Sequence, residues 1–86
     1  MNKNFSCFGW EEYLAWQQNK KILKKIHELI KDIERNGQDE GIGKPEALKH
    51  ELTGYWSRKI TEKDRLIYKV DGDTIHIIGC KNHYNE

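Results

Sequence analysis

From Lys20 onward the apolar positions Ile22, Leu23, Ile26, Leu29, Ile30 and Ile33 recur at steps of one, three, three, one and three, with Lys20, Lys21, Lys24, Lys25, Glu28, Lys31 and Asp32 between them. That spacing follows the helical turn and predicts an amphipathic helix with one face in a core. Asn36-Gly37 supplies its C-terminal stop, and Gly41, Gly43 and Pro45 extend an irregular surface loop to Pro45. Upstream, Phe5 and Cys7 share one side of an extended segment from Asn4 to Phe8, which Gly9 ends, so a first strand is expected there. Trp10, Tyr13, Leu14 and Trp16 then fit one face of a short helix, with Glu11 and Glu12 in a first turn where the helix dipole favours acidic groups.

Past the loop, Glu46 to His50 reads as a single helical turn. Strands are expected near Tyr55 to Ile60, Arg65 to Val70 and Thr74 to Cys80, joined by Thr61-Glu62-Lys63-Asp64 and Asp71-Gly72-Asp73. Such short connections make the three an antiparallel meander. In the middle strand Leu66, Tyr68 and Val70 fall on one face and Arg65, Ile67 and Lys69 on the other, so helices over the first face leave Arg65 on the open side. The expected architecture is α+β, ordered β-α-α-β-β-β, with two N-terminal helices on a small antiparallel sheet in one domain spanning 1–86.

The chain has 86 residues, of which 36% are apolar and 34% charged, enough for one packed core. No apolar run reaches the roughly 18 residues of a membrane span, and Met1 to Ser6 lack a signal-peptide stretch, so no membrane partner and a cytoplasmic location are expected. Cys7 and Cys80 read as small buried residues on strands rather than a disulfide framework. Trp10 and Trp16 are expected in the core.

Fifteen basic against fourteen acidic residues exclude a blanket cationic character. Between Lys44 and Val70, however, seven basic side chains face four acidic ones and alternate with His50, Tyr55, Trp56 and Tyr68. Cations interleaved with aromatic rings suit single-stranded RNA better than a duplex. Nucleotide-loop, zinc-hydrolase and serine-hydrolase motifs are missing, and His27, His50, His76 and His83 lack ligand spacing, so neither metal nor cofactor is expected. What remains is Glu46, Lys49, His50, Arg58, Lys59, Arg65 and His83, with Tyr84 alongside, a set that matches metal-free phosphoryl transfer.

The helix Lys24 to Asp32, the segment Gly43-Lys44-Pro45-Glu46-Ala47-Leu48-Lys49-His50, the stretch Leu52 to Arg58, the run Ile60-Thr61-Glu62 to Arg65-Leu66-Ile67-Tyr68 and the pair His83-Tyr84 together resemble the YoeB/Txe toxins of the RelE superfamily. The resemblance covers nearly the whole chain. It implies a microbial-ribonuclease-type fold and a bacterial toxin that enters the ribosomal A site and cleaves messenger RNA. The reaction it implies is attack of a 2′-hydroxyl on the adjacent phosphodiester. By that resemblance Glu46 is the general base, His83 the general acid and Arg65 the cation at the phosphate. Lys49, His50, Arg58 and Lys59 add positive potential, and Tyr84 stacks on or orients a base. An antitoxin of YefM/Axe type, the 70S ribosome with its mRNA, and a second copy of the chain are the implied partners. A RelE-fold binder that blocks translation or represses its operon without cutting is the alternative. The resemblance meets two departures: Lys59 stands where relatives carry a second arginine, and the chain continues to Asn85-Glu86.

Overall fold

In a computed structural model, which describes residues 1–82, the isoleucine stripe forms the predicted long helix, α2 (Lys20–Asn36). The Asn19 side chain accepts the Ile22 amide at 3.1 Å to open it, and Gly37, at φ +89°, closes it by donating to the Ile33 carbonyl. Ile26, Leu29 and Ile33 are fully buried. They pack on Leu66, Tyr68, Ile75 and Ile77 of the helix-covered sheet face and on Cys80 just past its last strand, all fully buried. Burying each such aliphatic side chain stabilises the fold by about 1.5–3 kcal/mol.

The sheet has five strands rather than four, and it is mixed. Its order is β1-β5-β4-β3-β2, where β1 is Asn2–Phe5, β2 Glu46–Ala47, β3 Trp56–Lys59, β4 Arg65–Asp71 and β5 Thr74–Gly79. The expected meander β3-β4-β5 is present, but β1 runs parallel to β5, from Asn2 opposite Thr74 to Phe5 opposite Ile77. A parallel pair needs a long crossover, and everything between β1 and β5 provides it. The helical turn expected at Glu46 is instead a short edge strand, with Glu46 opposite Ser57 and Ala47 opposite Trp56. The Lys59 amide bonds to the Gly43 carbonyl at 2.7 Å and extends that ladder, so sheet pairing overrides local helix preference there. The turn itself is displaced to a 3-10 segment at His50–Leu52.

Helix α1 (Cys7–Ala15) begins two residues before Gly9, because the Ser6 hydroxyl caps it by accepting the Gly9 amide at 3.0 Å. The earlier start alters three expectations. Cys7 is exposed on the helix instead of buried on a strand. Glu12 lies beyond the first turn and is buried. Trp10 remains 47% exposed, although its ring stacks on Tyr13 at 5.5 Å and meets Phe5 edge-on at 5.6 Å. Gly9 lies close against β5, where a Cβ would stand 2.7 Å from the Ile77 carbonyl oxygen. Ile67, expected on the open face, is fully buried beside the irregularity where Ile78 is the extra residue of β5.

Candidate functional site

Residues opposite one another across paired strands share a face, and the face alternates along each strand. Glu46 is opposite Ser57, and Lys59 is opposite Arg65 two residues farther along β3, so Glu46, Lys59 and Arg65 lie on the sheet face away from the core. β2 and β4 are two strand spacings apart, about 10 Å. Glu46 is exposed and makes no ion pair among the described residues, so its carboxylate is not already matched to Arg65. Lys59 Nζ pairs with Glu62 at 2.8 Å. The Glu62 carboxyl is held below its ordinary range, first by that Lys59 hydrogen bond and charge, with Arg65 and Lys44 adding to the pull. Lys59, Arg65 and Lys44 thus all lie close enough to act on the Glu62 carboxylate.

Arg65 is half-buried and fixed by the loop before it. Its Nη1 donates to the carbonyl oxygens of Thr61 at 2.9 Å, Glu62 at 3.2 Å and Asp64 at 3.2 Å. One nitrogen thus anchors the group, while the rest of the fork has no partner among the described residues. Lys49 and His50 follow β2 in an exposed turn, where His50 adopts φ +56° and its carbonyl accepts both the amide and the hydroxyl of Thr53. Five of the expected site residues, Glu46, Lys49, His50, Lys59 and Arg65, thus come from β2, its following turn and the adjoining strands β3 and β4. His83 and Tyr84 lie outside the described residues.

Arg58 does not join them. Expected at the RNA phosphate, it is fully buried on the opposite face of β3. Its Nε donates to the Tyr68 hydroxyl, Nη1 to Asp32 and the Ile42 carbonyl, and Nη2 to the carbonyls of Gly37 and Glu40. A guanidinium has five N–H donors, and here all five are used inside the protein. The alternation of β3 puts Ser57 and Lys59 on one face and Arg58 on the other, which is why adjacent basic residues have different roles. Arg58 instead ties the loop between α2 and β2 to the sheet. At Gly41, φ +120°, a Cβ would collide with the Asp32 carboxylate, so this loop approaches the ion pair as only glycine permits.

Two residues outside the expected set also belong to this end of the molecule. Glu12 Oε1 accepts the amides of Cys80 at 2.8 Å and Lys81 at 3.1 Å. Asp64 Oδ1 accepts the Asn82 amide at 2.7 Å, and the Arg65 amide donates to the Asn82 carbonyl at 3.1 Å. A signal for Glu12 was present in the sequence: with Gly9 and Trp16 it forms a stripe at helical spacing, the face of α1 turned toward β5. Asp64 carried none, since its role depends on where the chain returns after β5.

Residues 5–84 match the family model of the YoeB-like toxin of bacterial type II toxin-antitoxin systems. The chain is 55% identical over 77 residues to toxin YoeB of Escherichia coli K12, a match covering 88% of this chain and 90% of that protein. Among solved structures it is similar to a chain of the YoeB-YefM complex from Staphylococcus aureus, with TM-score 0.90 and 54% identity over 98% of both chains. It is equally similar to the YoeB dimer from Staphylococcus aureus, with TM-score 0.91, 54% identity and 98% of both chains covered.

Proposed function

The chain belongs to the YoeB-like toxins of bacterial type II toxin-antitoxin systems, and on that basis we propose that it is a ribosome-dependent endoribonuclease acting in the cytoplasm on mRNA in the A site. The observation that carries this reading is the hydrogen bond from the Arg65 amide to the Asn82 carbonyl at 3.1 Å. It brings the residue preceding His83 to the end of β4 where Arg65 stands, on the same sheet face as Glu46.

The proposed chemistry needs three roles. Glu46 takes the proton of the 2′-hydroxyl as its oxygen attacks phosphorus. Arg65 faces the phosphate oxygens as negative charge accumulates, a task suited to a permanently charged planar donor. His83 donates a proton to the departing 5′-oxygen, since imidazole exchanges protons near neutral pH. The new bond joins the 2′-oxygen to phosphorus and the bond to the 5′-oxygen breaks, leaving a cyclic phosphate and a 5′-hydroxyl. DNA lacks the nucleophile. Lys49, His50 and Lys59 supply positive potential, with Lys59 exchanging Glu62 for phosphate, and Tyr84 orients a base.

Its proposed partners are an antitoxin of YefM type and a second copy of the chain, in keeping with the complex and the dimer of the staphylococcal relative. The test is primer extension on programmed, translating ribosomes. Cuts at the A-site codon that disappear in Glu46→Ala and His83→Ala are expected. Translation arrest with intact messages, equally strong in both variants, would replace this reading by a non-cleaving block.

A further inference from the structure

After β5 ends at Gly79 the chain has no strand partner, yet the next three amides are all satisfied by carboxylates. The Cys80 bond is buried, the Lys81 bond part-buried and the Asn82 bond exposed, and charged acceptors bind roughly twice as strongly as neutral ones. Glu12, from α1, holds Cys80 and Lys81; Asp64, from the β3–β4 loop, holds Asn82. The carbonyls are secured as well, Cys80 by the Trp16 indole N–H at 2.8 Å and Asn82 by the Arg65 amide. The Cys80 side chain is fully buried, and the Lys81 ammonium lies 5.6 Å from the centre of the Trp16 ring. Asn82 is held at φ +67°, a backbone conformation that belongs to no regular element.

Asp64 has a second attachment. Its carbonyl accepts from Arg65 Nη1 while its side chain accepts from the Asn82 amide, and Thr61 Oγ1 donates to its other carboxylate oxygen at 2.8 Å. One residue therefore contacts both the guanidinium of Arg65 and the backbone of Asn82, the last residue before His83 in the chain.

We propose that Glu12 and Asp64 are positioning residues: a two-carboxylate clamp that fixes the backbone of residues 80–82 beside Arg65, the stretch of chain that leads to the proposed general acid His83. This deepens the ribonuclease reading and rests on it for its catalytic consequence. A displacement of about 1 Å in a reacting group can lower a rate by two orders of magnitude, so the clamp acts on turnover rather than on RNA binding.

The test uses the full chain as wild type, Asp64→Ala, Asp64→Asn and Glu12→Gln, with cleavage of ribosome-bound mRNA and amide exchange of Asn82 by NMR measured on each. In Asp64→Ala, kcat is expected to fall about 10–100-fold with KM within about threefold, and the Asn82 amide to exchange at least about tenfold faster as its acceptor is lost. Asp64→Asn keeps an acceptor oxygen and should recover most of both. Unchanged kcat and unchanged Asn82 exchange in Asp64→Ala would overturn the clamp. So would a kcat loss that tracks a lowered melting temperature while Asn82 exchange stays as in wild type. Glu12 is buried, and where Glu12→Gln fails to fold, the Asp64 pair still decides. Wild type that cuts no RNA would refute the ribonuclease reading alone, because the Asn82 exchange would still report on the clamp.

Discussion

Arg58 Nε donates to the Tyr68 hydroxyl at 2.8 Å, and that hydroxyl donates onward to the Gln38 carbonyl at 2.6 Å. The Gln38 side chain in turn accepts the Val70 amide at 3.0 Å. The loop between α2 and β2 is thereby fastened to β3 and β4 by a continuous polar chain, and it leads directly into the strand carrying Glu46. Burial pushes the Tyr68 hydroxyl above its ordinary pKa, with the Asp39 and Asp32 charges acting in the same sense against the pull of Arg58, so it remains a protonated donor.

Removing the cation from this network should be costly. Arg58→Met takes the cation from Asp32, which keeps only the Ile42 amide and Asn36 as donors, and removes the Arg58 donors from the carbonyls of Gly37, Glu40 and Ile42; breaking one side of a buried pair costs about 3–5 kcal/mol. Arg58→Lys keeps the charge but loses the fork, so an intermediate loss is expected. Urea denaturation checks both. A loss below about 1 kcal/mol in Arg58→Met, the level of an exposed pair, would show the network to be unimportant for stability.

Acid should weaken the same network. Burial alone pushes the Asp32 carboxyl up, but hydrogen bonds from Arg58, the Ile42 amide and Asn36, with the Arg58 charge, outweigh it and hold the group below the usual carboxylate range. The unfolded chain, titrating near about pH 4, binds the proton first as pH falls, so this contribution is complete above that pH and is lost toward the lower folded value. Asp32→Asn should therefore show a flatter decline in stability than wild type below about pH 4. Parallel declines in urea midpoint would assign the acid sensitivity to other groups.

The two cysteines should differ sharply in reactivity. Burial, reinforced by the charges of Glu12 and Asp64, pushes the Cys80 thiol up to about 12, so it stays protonated and shielded. Cys7 is exposed on α1. Iodoacetamide at neutral pH, followed by peptide mass analysis, should modify Cys7 in the native protein and Cys80 only after denaturation. Comparable native rates at both positions would contradict the packing of the 80–82 segment.

Gly9→Ala should destabilise the protein by about 1–3 kcal/mol, the usual range for overpacking. Its new methyl would stand 2.7 Å from the Ile77 carbonyl oxygen and 3.1 Å from the Ile78 carbonyl carbon, both backbone atoms that cannot swing aside. A thermal melt reads this directly. An unchanged or raised melting temperature would mean that α1 can move away from β5 without cost.

At the proposed site, Arg65→Lys keeps the charge but removes the planar donor set, including the Nη1 bonds to the 61–64 loop. Loss of a preorganised donor at a developing negative charge typically lowers turnover by about 10²–10³-fold, and a decrease of that size is expected in ribosome-bound mRNA cleavage. Full activity in the variant would remove Arg65 from the reaction.

Periodicity was enough to read α2 and the meander, because the apolar positions of both repeat with the spacing of the element they form. Ile26, Leu29 and Ile33 on the helix, and Leu66 and Tyr68 on β4, are buried as their spacing required. The open side of Arg65 was legible from the same alternation, whereas Ile67, read onto that face, is buried. Less could be read where distant segments decide the outcome. Glu46 joined a strand because β3 offered a ladder, and β1 paired in parallel with a strand more than sixty residues later, which no local pattern encodes.

Local pattern established the amphipathic face of α2, the two connections of the β3-β4-β5 meander and which side chains have the chemistry for phosphate. Only the tertiary structure decided that Arg58 and Lys59, adjacent in the chain, serve separate ends: one is consumed by five internal acceptors and the other is held at the surface. It alone also placed Glu12 and Asp64 on the backbone before His83. The reason is physical: apolar burial follows a repeat that one segment carries within itself, whereas a buried charge depends on acceptors and donors assembled from several segments at once.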